Sequence, residues 1–316
     1  MGRPLLLWYC GLLVFWVSAS SVAAAEASIH ASPTAPAFTL ESRHKIPSVL
    51  PAASPNGDRI HALVVDKSRQ QLSVFSNNGN LRELYRFNCS TGQTRGRKEL
   101  EGDKKTPEGI YFINGHHLDQ DLSDTYGTRA FPLDYPNRFD QRMSRSGYSI
   151  WIHGTNKALK PRDSNGCIVL ANADIDRLAE HVELERTPVI VVDRIDYVMP
   201  HEAFQEVELI RQALSGWRRN LSRMNFKGLT GLWAGSEGAR TQLWFRWLAF
   251  RQSHDPQRRG RLHFTNVNIF RSHQQVVVTF DWNISTRSDP WYRARLYLSP
   301  SPQGYRVIDA VGLPVL

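Results

Sequence analysis

A histidine and a cysteine in one short stretch of the chain could together perform nucleophilic catalysis. The stretch is WIHGTNKALKPRDSNGCIVL, residues 151–170, where a polar loop rich in Lys, Pro, Arg and Asp separates His153 from Cys167. A cysteine attacks carbonyl carbons as its thiolate, and because its ordinary pKa is about 8.5 a neighbouring imidazole must activate it. The pattern predicts Cys167 as a nucleophile and His153 as its general base.

Two glycines beside this pair have chemical uses of their own. Gly166 precedes the cysteine, where a glycine lets the backbone turn tightly and bring N–H groups toward a developing oxyanion. Gly154 follows the histidine and leaves a carbonyl free to orient the imidazole through its second nitrogen.

Spacing alone leaves other interpretations open. A buried structural cysteine and a hydrogen-bonded core histidine could occur at the same two positions without any catalytic role. Zinc is a further alternative, but His116, His117, His153 and Cys167 lack the standard spacing of zinc ligands. We therefore predict neither a metal nor a cofactor.

The wider pattern is more specific. STGQ at 90–93, EGDKKTPEGIYFI at 101–113, YGTRAFPLDYPN at 126–137, and IHGT followed by SNGCIVL occur in that order. Together they resemble the YkuD-type L,D-transpeptidase catalytic domain, over residues 59 to 194. The resemblance implies a cysteine acyl-enzyme that acts on peptidoglycan stem peptides, at the bond between a D-configured centre and the preceding L-centre.

The resemblance also implies roles for individual positions. Cys167 would be the nucleophile and His153 the base, the Gly154 carbonyl would orient His153, and Gly166 would join the Cys167 amide in the oxyanion region. Ser164, Asn165 and Arg162, on the same loop, are further candidates for oxyanion or substrate binding.

The sequence departs from the family pattern at two positions. Asn165 stands where the family commonly has histidine, and since asparagine cannot take a proton, His153 must be the only base. Val169 stands where the family commonly has arginine. Recognition of a substrate carboxylate would then fall to another cation, with Arg162, Lys160 and Arg145 as candidates.

The elements that position this site are short strands. IHALVVD, QQLSVFS, LRELYRFNCSTG, GIYFING, SIWIHGT and TPVIVVDRI predict an antiparallel β-sandwich or barrel-like domain over residues 58–195. NADIDRLAEHV predicts one short helix, with Asn172 or Asp174 as its N-cap. The fold class is therefore a mainly β catalytic domain, a YkuD-like β-sandwich with a short helix.

Residues 200–316 predict a second, α+β domain. A helix over 200–226 is followed by five apparent strands that begin with LWFRWLAFRQ. This part resembles the cone-shaped nuclear-transport-factor-2-like fold and is predicted to dock to the wall or to a protein. Four of its aromatic residues could stack on sugars or form a core: Trp244, Trp247, Trp282 and Trp291.

The N-terminus predicts export. An arginine, an apolar run of about a dozen residues and an Ala-x-Ala site make residues 1–25 a signal peptide. Residues 26–57, rich in Pro, Ala and Ser, predict a linker or arm. The protein is thus expected in the periplasm or cell envelope, with a membrane attachment only if the signal stays uncleaved.

Charge and cysteine count narrow the functions further. The net charge of +9 favours an anionic partner, and export argues against nucleic acid. Cys89 and Cys167 could form a disulfide, or be one buried and one reactive thiol. Three functions remain: an L,D-transpeptidase, an L,D-carboxypeptidase that trims tetrapeptide to tripeptide, and a non-catalytic wall-binding protein with a decayed site.

Overall fold

The structure is a computed structural model that describes residues 45–52, 59–78, 80–255, 257, 260–284 and 291–313. The predicted signal peptide and most of the predicted linker lie outside these residues. The described part of that linker is packed and not loose: β1 (Ile46–Pro47) pairs with β11 (Tyr197–Val198), and Leu50 is buried.

Among the described residues no helix has both the length and the apolar character needed to cross a membrane.

A five-stranded sheet lies at the centre of the catalytic part. Its strands in spatial order are β4 (Arg82–Asn88), β3 (Gln71–Asn77), β2 (Ile60–Asp66), β10 (Pro188–Val192) and β5 (Gly109–Phe112). β10 pairs with β2 in the parallel sense, whereas the other pairs are antiparallel. The prediction of a purely antiparallel domain is wrong here, because the long excursion between β5 and β10 lets the chain return in the direction of β2.

A smaller sheet carries the predicted site. Its order is β6 (His117–Leu118), β7 (Arg129–Pro132), β8 (Trp151–His153) and β9 (Ile168–Val169), with β8 and β9 parallel. Two 3₁₀ turns (Asp119–Asp121 and Asp124–Tyr126) and helix α1 (Arg138–Arg142) lie in its connections.

Helix α2 (Asn172–Ala179) packs under this sheet. Its N-cap is Ala171, which makes no side-chain cap, so the predicted caps Asn172 and Asp174 are wrong. The Asn172 side chain instead accepts a hydrogen bond from the Thr128 N–H and donates one to Asn156.

The second part consists of helices α3 (Pro200–Ser222), α4 (Phe226–Gly231) and α5 (Glu237–His254), followed by a sheet in chain order. The strands are β12 (Leu262–Ser272), β13 (Gln275–Ile284), β14 (Tyr292–Ser301) and β15 (Gly304–Val311). The predicted strand LWFRWLAFRQ is in fact helical. Ser236 caps this helix by accepting from the Ala239 N–H, and Leu243, Trp247 and Phe250 recur at helical spacing on its buried side.

Successive side chains of a strand point to opposite faces of its sheet, so each sheet packs against a neighbouring layer on either face. In β2, Leu63 and Val65 share a core with Ile152 and Ile168 of the smaller sheet, whereas Val64 faces the other way. That second face joins a core with side chains of the C-terminal sheet, among them Phe270, Val277, Tyr297 and Ile308. The two parts therefore share a hydrophobic core.

The C-terminal sheet is covered on its other face by the three helices. Val276, Val278 and Phe280 of β13 pack there, alternating with Val277. Trp247 and Trp282 are 1% and 0% exposed, so they are core residues and not a sugar platform. The chain thus has an α+β C-terminal part, while its likeness to nuclear transport factor 2 stays a prediction.

Candidate active site

The parallel pairing of β8 and β9 brings the predicted nucleophile and base to one place. His153 ends β8 opposite Val169, and Cys167 immediately precedes β9. Because side chains alternate along a strand, Ile152 and Ile168 face the core, while His153, Cys167 and Val169 project to the opposite side. The loop between the two strands is what makes this parallel return achievable.

His153, Cys167 and Val169 line a cavity of about 330 Å³. Its other walls come from the strand-end residues 90 and 93, the turn at 125–126, and the loop between β8 and β9. Named in order these are Ser90, Gln93, Thr125, Tyr126, Thr155, Lys157, Ala158, Leu159, Lys160, Asp163, Ser164 and Asn165. This cavity is the candidate substrate site.

His153 is held as a neutral base. Its Nδ1 lies 2.7 Å from the Gly154 carbonyl oxygen, which can only accept, so Nδ1 carries the proton and Nε2 keeps a free lone pair. Burial lowers the pKa of His153 below its ordinary value, and the Gly154 hydrogen bond partly opposes this shift. The Tyr126 ring stands edge-on to the imidazole, with ring centroids 4.9 Å apart.

Cys167 is a protonated thiol at rest. Burial raises its pKa above the ordinary value, and a hydrogen bond with the Trp151 backbone partly offsets that shift. The Sγ–H donates to the Ser149 carbonyl at 3.6 Å. A protonated thiol must lose its proton to a base when it attacks, and the neutral His153 is the candidate for that base.

Ser164 and Gly166 shape the turn that carries Cys167. The Ser164 hydroxyl donates to the Cys167 carbonyl at 2.6 Å and accepts from the Gly166 N–H at 3.1 Å. Gly166 has φ +133°, a conformation that L side chains rarely adopt. The Gly166 N–H is engaged inside the loop, and the predicted place of Gly166 in an oxyanion region stays a prediction.

The Cys167 N–H differs from the Gly166 N–H. Of the backbone hydrogen bonds found outside helices and ladders in the described ranges, none uses the Cys167 N–H. Asn165 is exposed at the rim of the cavity. These two donors remain as candidates for an oxyanion.

The three predicted carboxylate-binding cations have different surroundings. Arg162 donates to the Lys67 carbonyl at 2.9 Å and is not among the cavity-lining residues, and Arg145 forms a buried ion pair with Asp140 at 2.8 Å. Both guanidinium groups thus have partners within the fold, and the predicted roles of Arg162 and Arg145 in substrate binding stay predictions. Lys160 lines the cavity, together with Lys157, which sequence reasoning missed.

Asn172 and Gly127 were also missed, although Gly127 lies in a motif of the sequence. Gly127 has φ +64°, and a Cβ there would overlap Asn172 Oδ1 and lie 2.5 Å from the Thr155 N. A Cβ on Gly154 would overlap the same oxygen. Two glycines thus let the Asn172 amide pack directly beneath the backbone that orients His153.

We predict that Gly127→Ala destabilises the protein by about 3 kcal/mol and sharply lowers turnover, because overlap adds to the cost of a left-handed alanine. Gly102→Ala is the matched control: Gly102 has φ +77°, but a Cβ there meets nothing within 4 Å. Its expected cost is about 1 kcal/mol, with activity retained. Thermal unfolding and turnover of both variants check this, and equal losses would contradict it.

Cys89 and Cys167 do not form a disulfide; both are free thiols. Cys89 is 2% exposed, and burial raises its pKa to about 12, so it is an inert core residue. In the part of the chain that the structure describes, no group of three or more His, Cys, Asp or Glu side chains is placed to hold a metal.

Comparison with known proteins identifies the part of the chain that bears this site. Residues 60–191 match the family model of YkuD, the L,D-transpeptidase catalytic domain. This segment is a YkuD-type domain. YafK of Escherichia coli K12 and O157:H7, provisionally named as an L,D-transpeptidase, is 30% identical over 94 residues. That alignment covers 30% of this chain and 35% of YafK, so the chain spans about a third of the curated relatives it matches.

Two solved structures share the fold beyond the YkuD-type domain. Bd1075 of Bdellovibrio bacteriovorus has a TM-score of 0.69 at 23% identity and covers 86% of this chain and 99% of its own. Pgp2 of Campylobacter jejuni, a helical cell shape determining protein, has a TM-score of 0.62 at 19% identity, covering 83% and 96%. The architecture of both parts is therefore one that other chains share.

Proposed function

We propose that the chain is an exported peptidoglycan L,D-transpeptidase that acts through a Cys167 acyl-enzyme on murein stem tetrapeptides. The observation that carries the proposal is the neutral His153, fixed by Gly154 and lining one cavity with Cys167 inside a YkuD-type domain. The family acts on peptidoglycan peptides, and such substrates lie outside the cytoplasm, which agrees with the predicted signal peptide.

The proposed chemistry uses these groups in sequence. Cys167 Sγ attacks the carbonyl carbon of the L,D-bond while its proton passes to His153 Nε2. The oxyanion accepts from the Cys167 N–H, with Asn165 within the same rim. The intermediate collapses to a thioester, the C–N bond breaks, and the departing amine of the terminal D-residue takes the proton from His153.

The thioester can be resolved in two ways. Attack by an amine of a second stem forms a cross-link, and attack by water yields a tripeptide, as in an L,D-carboxypeptidase. The second outcome is kept as an alternative, and Pgp2, which shares the fold, is a helical cell shape determining protein. A non-catalytic wall-binding protein is the third candidate, and the intact contact between His153 and Gly154 speaks against a decayed site.

Mass spectrometry of a purified disaccharide-tetrapeptide incubated with residues 26–316 tests the proposal. Cross-linked dimers or exchange of added D-amino acids, absent with Cys167→Ala, are expected of a transpeptidase. Cysteine-dependent loss of the terminal D-alanine without dimers would make the chain a carboxypeptidase. Identical spectra for the two proteins would leave the binding protein as the better account.

The lowered pKa of His153 predicts the acid limb of the activity profile. The base works only when neutral, so kcat/KM should stay high as pH falls to 6.5 and decline only below that, with an apparent pKa under the ordinary 6.5. Initial rates on the soluble substrate between pH 4.5 and 8 measure this, with tryptophan fluorescence showing that the protein stays folded. An acid limb centred above 7 would contradict the assignment.

We further propose that Lys160 recognises a stem-peptide carboxylate. It is a cation that lines the cavity, at a rim where Val169 supplies no charge. Lys160→Ala should raise KM about fivefold, the scale of an exposed ion pair, with kcat nearly unchanged. Lys160→Arg should restore KM, and Lys104→Ala, exposed and outside the cavity, should have no effect. A fall in kcat alone would refute this role.

A further inference from the structure

One segment of the sequence carries the whole excess of positive charge. Residues 211–261 contain 11 Lys and Arg but only 2 Asp and Glu, a net charge of +9 that equals the net charge of all 316 residues. The rest of the chain is therefore balanced. This segment begins within α3 and includes α4 and α5, the helices that cover the C-terminal sheet on the face away from the YkuD-type domain. The helical layer itself, residues 200–254, contains 8 Lys and Arg and 4 Asp and Glu, a net charge of +4.

Some of these cations are neutralised by acids. Arg211 pairs with Glu208, Arg240 with Glu237, and the buried Arg251 with Asp255. Five others are exposed, and the ion pairs found in the described part of the chain do not use them: Arg218, Arg219, Arg223, Lys227 and Arg246. These five side chains therefore carry their positive charge at the solvent-exposed surface.

Large apolar side chains share the outer faces of these helices. On α5, Phe245 is 64% exposed and lies next to Arg246 on the solvent side, opposite the buried Trp247. On α3, Phe204 and Leu209 are 45% and 42% exposed. These two lie in the N-terminal half of α3, near Glu206 and Glu208, whereas Phe245 is the exposed apolar side chain next to one of the exposed cations.

We propose that this outer helical face binds the surface of an anionic phospholipid bilayer. Arginines and a lysine suit phosphate headgroups, and the exposed phenyl ring of Phe245 gains by entering the boundary between headgroups and acyl chains. A carboxylated wall polymer would account for the cations but would leave the exposed apolar side chains without a use. The catalytic cavity lies in the other domain, so lipid binding and chemistry are separate functions.

The test is sedimentation of the full chain with phosphatidylcholine vesicles, with and without one quarter phosphatidylglycerol. Binding is expected only to the anionic vesicles, and it should weaken as salt rises. Arg219→Glu/Arg223→Glu/Arg246→Glu should lower the partition coefficient at least about 100-fold, since each cation near an anionic bilayer contributes a factor of about five. Phe245→Ser should lower it several-fold while leaving its dependence on salt unchanged.

The matched control is Arg82→Glu/Arg142→Glu/Arg194→Glu, which alters net charge equally at exposed positions outside the helical layer. It should keep most of the binding, and an equal loss in both triple variants would overturn the proposal. If the first triple variant fails to fold, its Arg→Gln counterpart takes its place. Binding to purified sacculi but not to anionic vesicles would also overturn it and assign the face to the wall polymer.

Discussion

Replacing Cys167 with alanine is expected to lower turnover of a disaccharide-tetrapeptide by at least about 10⁴-fold while leaving the fold intact, because the proposed acyl-enzyme forms on this thiol. Cys167 lies at the cavity wall and not in the core, so the thermal unfolding midpoint of the variant should differ little from that of the wild type. Initial rates followed by mass spectrometry, together with thermal unfolding, measure the two effects.

Cys89→Ala is the control for this substitution. It removes a thiol that lies in the core, so it should cost stability by about 1 kcal/mol and leave turnover nearly intact. The reverse pattern, with activity lost at Cys89 and kept at Cys167, would refute the assignment of the nucleophile. Iodoacetamide gives a second readout: it should label Cys167 and spare Cys89, whose pKa of about 12 keeps it protonated.

The partners of Cys167 should show graded losses. His153→Ala removes the proposed general base and should approach the effect of Cys167→Ala. Asn165→Ala removes at most one hydrogen bond at an exposed rim and should cost about tenfold or less. Equal losses at positions 153 and 165 would mean that Asn165 does more than donate to an oxyanion.

The residues that could be predicted from the sequence are those whose chemistry is local. Cys167, His153 and Gly154 occur within one motif, and the loop between them already implied two strand ends brought together. The contact between His153 and the Gly154 carbonyl involves adjacent residues, so strand geometry and residue type suffice to anticipate it.

The residues that could not be predicted depend on distant partners. Arg162 looked like a substrate-binding cation, but its guanidinium meets the carbonyl of Lys67, 95 positions away. Lys67 itself lies in an ordinary turn sequence, yet it is 1% exposed and paired with Glu108 at 2.8 Å. Burial of such a charge is decided by the tertiary partner, which local sequence does not reveal.

The prediction of a strand where α5 lies was wrong for a related reason. Its aromatic and β-favouring residues suggested a strand, while the period of Leu243, Trp247 and Phe250 and the Ser236 cap favoured a helix. In the fold, Trp247 of this helix packs edge-on against Trp282 and donates its indole N–H to the Leu221 carbonyl of α3, tertiary contacts that local sequence does not reveal.

The shared core changes what the C-terminal part is expected to do. The sequence suggested a separate docking module, but Val64, Ile110 and Phe112 of the YkuD-type domain are covered by the C-terminal sheet. Arg295 adds a polar tie, since its guanidinium contacts Asp134 and Glu185 and lies 3.8 Å from the centre of the Phe112 ring. Deleting residues 200–316 would expose this surface and should cost solubility and activity together.

A single substitution tests the shared core without deletion. Phe270 is 3% exposed and belongs to the cluster that joins the two sheets, so Phe270→Ala should lower the free energy of unfolding by about 3–5 kcal/mol. Phe245→Ala removes the same atoms from a side chain that is 64% exposed. This substitution should change the free energy of unfolding by less than about 0.5 kcal/mol.

Denaturant unfolding should then report one transition for both parts, read by near-ultraviolet circular dichroism and by loss of turnover on the soluble substrate. Because the YkuD-type domain relies on the C-terminal sheet to cover one face of its central sheet, Phe270→Ala should shift both signals to lower denaturant together. A variant that lost C-terminal structure while turnover persisted at wild-type denaturant concentrations would show that the catalytic domain is stable by itself.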